Sequence, residues 1–153
     1  FNAFIEPFRS RLESEHPRLC KLCDTIIAVL MYADDAALPA DSAEDLYLTL
    51  RILEDFCNDN HLVVAVSKTF ITVFHHHDDH EVVYNGTSVF VDGHRITATI
   101  YGHEFSAVPI FKYLGVHLCS TGCVRSHAEA RAAALHRAIG SLLTGFARLP
   151  GGS

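Results

Sequence analysis

Tyr32-Ala33-Asp34-Asp35 sets two adjacent carboxylates at the end of an apolar run. Neighbouring carboxylates repel, and the repulsion grows where water is partly excluded, so a pair at the tip of a buried strand calls for a compensating cation. Hard oxygen donors suit Mg²⁺ (or Mn²⁺), which is held by one or two carboxylates together with substrate phosphate oxygens. Two such ions, about 3.5 to 4 Å apart, activate the attacking oxygen and stabilise the leaving one in an in-line phosphoryl displacement. An ordinary Asp-rich hairpin turn accounts for the four residues equally well.

Other side chains could also do chemistry. Cys20-x-x-Cys23 and Cys119-x-x-x-Cys123 could supply four thiolates to a structural Zn²⁺. The 95 residues between the two pairs are far more than the short loops of small zinc modules, and buried free thiols are the commoner fate of cysteine. The run His75 to His80 could hold a transition metal through imidazole, or serve as a polar connection with adventitious Zn²⁺ or Ni²⁺ affinity. Lys68 alone reads as a solvated lysine between two strands.

These groups need elements to position them. Phe1, Phe4, Ile5, Phe8 and Leu12 share the spacing of one apolar helix face, over a helix to about Glu15 that Pro7 should kink. The run Thr25 to Tyr32 and the shorter Ala36 to Leu38 read as two buried strands joined by the acidic turn. Asp41 and Glu44 can form a capping box for a helix from about Ser42 to Asp59, with Leu46, Leu50, Leu53 and Cys57 on one face and Phe56 beside them. Asp45 and Asp55 are expected on its solvent side. Leu62 to Val66 and Thr69 to Phe74 read as strands. Asn85-Gly86 and Asp92-Gly93 are turn signals that divide Glu81 to Tyr84, Thr87 to Val91 and His94 to Ile100 into a meander. A further strand is expected over Tyr113 to Leu118. Ser126 and Glu129 form a second capping box, followed by a helix carrying Leu135, Ile139, Leu142 and Phe146 on one face.

The chain of 153 residues, 49% hydrophobic, is long enough for one domain with a real core. Its longest apolar run, Ile26 to Tyr32, has the length of a strand and not of a membrane span, which argues against a membrane role. It opens on Phe1 with no initiator Met and no secretory leader, and is expected to be cut from something longer. Five cysteines, an odd number, fit reduced thiols and an intracellular protein of the nucleus or cytoplasm. The net charge of −6 hides an asymmetry: residues 1–106 hold 7 Lys and Arg against 17 Asp and Glu, residues 107–153 hold 5 against 1.

Taken together with their flanks, these motifs resemble reverse transcriptases, most closely those of non-LTR (LINE-type) retroelements. Phe1 to Pro7 is similar to the helix after motif B of the palm, and Tyr32-Ala33-Asp34-Asp35 to motif C, with Ala33 at its variable position. Leu62 to Thr69 resembles motif D, ending in its Lys-Thr pair at Lys68-Thr69. Phe111-Lys112-Tyr113-Leu114-Gly115-Val116 resembles motif E, the primer grip, and Gly122 with the helix beyond it resembles the beginning of the thumb. The resemblance covers nearly the whole chain, with four motifs in the family's order.

It implies an α+β fold: the C-terminal part of a polymerase palm, an antiparallel sheet with helices packed on one face, over 1–118, including a β-meander, then the first thumb helix over 119–153. It implies an RNA-directed DNA polymerase that extends a primer with deoxynucleotides by two-metal phosphoryl transfer. Asp34 and Asp35 would hold Mg²⁺ (or Mn²⁺) and Lys68 would protonate the departing pyrophosphate. Tyr32, Lys112, Tyr113, Leu114, Gly115, Arg131 and Arg137 would contact nucleic acid, and Gly115 marks a position where primer or a neighbouring strand approaches closely. The partners implied are an RNA template, a DNA primer, deoxynucleoside triphosphates and the rest of the polymerase chain upstream and downstream, with no membrane.

In the family a third Asp, from motif A, completes the metal site. Asp24 lies ten residues before Asp34, about 33 Å away if the intervening strand is straight, so the third Asp is expected upstream and the isolated fragment is expected not to polymerise. Motif D also departs from the pattern: the family commonly has Asn where Ala65 stands and an acid where Phe70 stands. Two alternatives remain open: a degenerate retroelement remnant acting only as a structural or nucleic-acid-binding piece, and a zinc module using Cys20, Cys23, Cys119 and Cys123.

Overall fold

Helix α1 (Asn2–Glu15) forms where the apolar spacing predicts it, with Pro7 inside its N-terminal half. The structure, a computed structural model, describes residues 2–22, 24–32, 35–75, 80–122, 128, 129, 132–135 and 137. The chain divides into two compact units, Phe1–Val73 with His80–Val108 and Phe74–Asp79 with Pro109–Ser153. The expected boundary between 118 and 119 falls inside the second.

The first unit is organised around helix α2 (Ala43–Asp59), which buries two stripes. One carries Ile52 and Phe56 against Phe8 and Leu12 of α1 and against Ala28, with the Phe8 and Phe56 rings 5.1 Å apart. The other carries Leu50, flanked by Leu46 and Leu53, against Ile71, Val89, Ala98, Ile100, Phe105 and Ala107. Only the second stripe is legible in the helical periodicity, because Ile52 and Phe56 lie outside the Leu46-Leu50-Leu53 spacing. Arg11 ties the two helices together, 2.7 Å from Asp59 and 2.8 Å from Glu15.

The cap of α2 sits one residue beyond the expected one. Ser42, not Asp41, is the N-cap: its Oγ accepts from the Asp45 N–H at 3.1 Å and donates to the Asp45 carboxylate at 2.7 Å. Asp45 is therefore buried, 6% exposed, and not on the solvent face where periodicity puts it. Asp55 is exposed as expected.

Strands β1 (Lys21–Leu22) and β2 (Thr25–Ile26) form a small hairpin, and β3 (Leu30–Tyr32) and β4 (Asp35–Ala37) a second. The expected buried strand over 25–32 is thus broken. Its apolar run is satisfied by turning Ala28 into the α1–α2 cluster, which leaves Ile26 and Leu30 half exposed on two-stranded ribbons. The straight path from Asp24 to Asp34 assumed above does not exist.

Beyond α2, residues 62–65 make no ladder and Val63 is 88% exposed. Their β-branched composition suggested a strand, but the chain winds into a 3₁₀ turn over Val66–Lys68, closed by the Lys68 N–H on Ala65 O at 2.9 Å. Strand β5 (Phe70–Ile71) runs parallel to β11 (Ser106–Ala107). Between them lies the meander of β6 (Val82–Asn85), β7 (Ser88–Val91) and β8 (His94–Thr97). Its second turn is Asp92-Gly93, with φ of 49° and 80°, the mirror-image turn a tight hairpin favours. Its first is Gly86-Thr87, shifted by one because Asn85 still pairs with Ser88. The expected strand to Ile100 stops at Thr97: Ala98 is fully buried and its carbonyl accepts from Phe105, bending the chain into the hairpin of β9 (Thr99–Ile100) and β10 (His103–Glu104).

In the second unit, β12 (Ile110–Tyr113) and β13 (Val116–Cys119) pair antiparallel. One strand was expected here; two form, because Leu114 and Gly115 at φ of 49° and 80° reverse the chain. The described residues at 128, 129, 132–135 and 137 are helical, within the span of the expected closing helix; Ser126, Ile139, Leu142 and Phe146 lie outside the described residues.

Candidate functional site

Alternation along β3 and pairing with β4 put Leu30, Tyr32, Asp35 and Ala37 in register, through Leu30↔Ala37 and Tyr32↔Asp35. The acidic tetrapeptide thus spans the end of an antiparallel hairpin, with Asp35 exposed. Ala33 and Asp34 lie between the paired residues and outside the described ones, as does the side chain of Tyr32. An exposed carboxylate at a hairpin end keeps its hydration until a cation arrives, and hard oxygen donors of this kind match Mg²⁺ or Mn²⁺. Among the described residues no three His, Cys, Asp or Glu side chains converge on one point.

Lys68 closes the 3₁₀ turn and is exposed. Thr69 Oγ1 donates to Ala65 O at 3.0 Å, holding the turn that presents the lysine.

The residues expected to form motif E, Phe111 to Val116, occupy one end of the β12–β13 ribbon. Lys112 pairs with His117 and Tyr113 with Val116, so Lys112 and His117 project from one face while Phe111, Tyr113 and Leu118 share the other. Lys112 is exposed and Leu114, at the tip, is 50% exposed. At Gly115 no neighbouring strand approaches closely: a Cβ placed there meets nothing within 4 Å. Its glycine is required by the backbone at φ 80° and not by close approach of a neighbour. Arg137 is helical and exposed; Arg131 lies outside the described residues.

The cysteines divide between the units, Cys20 in the first and Cys119 in the second, and Cys23 and Cys123 lie outside the described residues. Cys20 and Cys57 are free thiols, and Cys119 Sγ lies 3.3 Å from Thr121 Oγ1. Burial first, and then a hydrogen bond to the Asp41 carboxylate, push the Cys20 thiol above the ordinary range. Such surroundings favour the protonated thiol, whereas a zinc ligand must be a thiolate. At the start of β6, His80 Nδ1 lies 2.6 Å from Asp92 Oδ2.

Sequence reasoning passed over one group in each unit. His16, Arg18, Ser42 and Asp45 form a clasp: Arg18 lies 3.0 Å from Asp45 Oδ1 and His16 Nε2 donates to the Asp45 carbonyl at 3.1 Å. Phe74 stands on the second unit with its ring 60% exposed. Neither carries a sequence signal, since both depend on burial and on contacts between distant residues. No helix among the described residues is long and apolar enough to cross a membrane. Comparison with known protein families, curated proteins and solved structures found no match.

Proposed function

We propose that this chain is the C-terminal part of a reverse-transcriptase palm with the beginning of its thumb, from a retroelement polymerase that extends a DNA primer on an RNA template. The observation that carries the reading is the register of the β3–β4 hairpin, which puts Tyr32 opposite Asp35 and leaves the remaining two residues of the acidic tetrapeptide at the turn. A carboxylate exposed at a hairpin end, with a second one next to it in sequence, suits a site that accepts ions together with a triphosphate better than a site caged by protein alone.

When bound, divalent ions would supply electrostatic stabilisation of the charge that develops in phosphoryl transfer. Asp34 and Asp35 would anchor them, with a further carboxylate contributed from a motif A segment upstream. Lys68 would give a proton to the departing pyrophosphate oxygen. The β12–β13 ribbon would hold the primer strand, with Lys112 toward phosphate. Leu114 supports that assignment: a non-glycine residue in the left-handed region costs of order 1 kcal/mol, and such strain gathers where function requires a particular backbone.

In a longer polymerase carrying this segment, Asp34→Ala is expected to abolish primer extension with Mg²⁺ while leaving template–primer binding within about threefold of wild type, since phosphate contacts dominate affinity. Extension that survives the substitution refutes the metal assignment.

A further inference from the structure

We propose that Phe74 is a base-stacking contact for single-stranded nucleic acid, an inference that rests on the reading above but assigns a residue outside every motif that led to it. Among the described aromatic rings Phe74 is the most exposed, at 60%. It is nonetheless held in place. Its ring meets Phe111 edge to face, with centroids 6.2 Å apart and planes at 67°, and the next residue, His75, donates its N–H to Ser120 O at 2.9 Å at the end of β13. An aromatic ring that is anchored by its neighbour while most of it faces water has little entropy left to lose on binding, which is what a stacking platform needs.

The occupant follows from charge. The unit that carries Phe74 holds 5 Lys and Arg against 3 Asp and Glu, and six of the chain's eleven histidines, whereas the other unit holds 7 against 15. A polyanion is drawn to the unit that carries Phe74 and repelled by the other. The β12–β13 ribbon beside Phe74 has an apolar, aromatic side with Phe111 and Tyr113 and a polar side with Lys112 and His117, the two chemistries of a nucleotide. A base needs no particular sequence to stack, so the contact suits a surface that must hold any strand.

The chain contains no tryptophan, so Phe74→Trp introduces a single reporter at the site in question. Binding of the full chain to a fluorescein-labelled oligothymidine and to an oligoadenosine is measured by anisotropy over a salt series, with Phe74→Ala, Phe74→Leu and Phe74→Trp beside the wild type. Stacking predicts that Ala and Leu each weaken binding by about tenfold or more with an unchanged salt slope, the loss of one base–aromatic stack. Trp is expected to keep the affinity, with emission quenched by the oligonucleotide. Leu retains an apolar contact with Phe111, so a loss shared by Ala and Leu separates stacking from simple packing. If the wild type binds with salt dependence but the three variants match it, or Trp emission is unquenched, the stacking assignment falls and the polymerase reading stands. A wild-type chain that binds no oligonucleotide overturns both. Concentration-dependent self-association of the wild type, lost in Phe74→Ala, would make the ring a protein contact and also overturn the assignment.

Discussion

Asp45 is buried while its cationic partner Arg18 is largely in water, and this inequality decides what each contributes. The guanidinium can leave the pair and be solvated, whereas the buried carboxylate keeps only the hydrogen bond that Ser42 Oγ donates to its Oδ2, its Oδ1 accepting none. Ser42→Ala is therefore expected to cost about 1 to 2 kcal/mol, the usual worth of an N-cap hydroxyl with a second partner. Arg18→Ala should cost more, on the order of 3 kcal/mol, because it leaves the buried Asp45 carboxylate without its cation. Urea midpoints of the two variants check the order. The His16 bond should survive both, since it goes to the Asp45 carbonyl and not to the carboxylate. Asp92 makes a pH prediction: its hydrogen bond to His80, and secondarily the Glu81 N–H, hold its carboxyl below the ordinary range. A depressed folded value means that the unfolded chain takes up the proton first on acidification. The contribution is thus present above the unfolded value of about 4 and is lost as pH falls through the folded one. Asp92→Asn is expected to flatten stability against pH below about 5, by a small amount because the pair is exposed. Denaturation midpoints across the acid range measure it, and parallel curves for the two proteins would refute it.

At the scale of elements, the β12–β13 turn pairs a suitable residue with an unsuitable one. Gly115 at φ 80° accepts the left-handed region freely, so Gly115→Ala should destabilise by about 1 kcal/mol with no steric contribution, there being no neighbour to displace. Leu114 has no such freedom, and Leu114→Asn, giving the Asn-Gly pair that this turn prefers, should raise the urea midpoint. A lowered midpoint would mean that Leu114 is held by packing and not by strain. The same turn explains what the sequence could and could not tell. Asp92-Gly93 announces its hairpin through two residue types that tolerate positive φ, but Leu114-Gly115 and Tyr101-Gly102 each begin with one that does not, so the β12–β13 and β9–β10 hairpins carry no such signal. The helices were legible because their apolar spacing is long and redundant, yet the cap moved from Asp41 to Ser42, since either residue could cap and only the fold around Asp45 decides. Residues 62–65 failed the other way: strand-forming composition found no partner strand. For the candidate site, residue types were legible and placement was not. Asp35 could be named from the acidic tetrapeptide, and Lys68 and Lys112 from the resemblance to motifs D and E, while the exposure of Phe74 and the burial of Asp45 could not.

Across the whole molecule the charges segregate, 7 Lys and Arg against 15 Asp and Glu in one unit and 5 against 3 in the other. Net charge alone, at −6, argues against a nucleic-acid partner, but association with a polyanion depends on where cations are presented and how many phosphates they neutralise. Each phosphate contact releases condensed counterions, so the slope of log K against log salt counts contacts independently of affinity. If Lys112 meets a primer phosphate, Lys112→Gln should lower the magnitude of that slope on a template–primer duplex by about 0.9, alongside a loss in affinity that shrinks as salt rises. Lys21, an exposed lysine on β1 of the acidic unit, provides the control: Lys21→Gln removes the same formal charge but no expected contact. A slope that falls for Lys112→Gln and holds for Lys21→Gln locates the nucleic acid on the β12–β13 ribbon. Equal changes in both would mean that only the protein's overall field matters, and the ribbon would lose its claim to the primer strand.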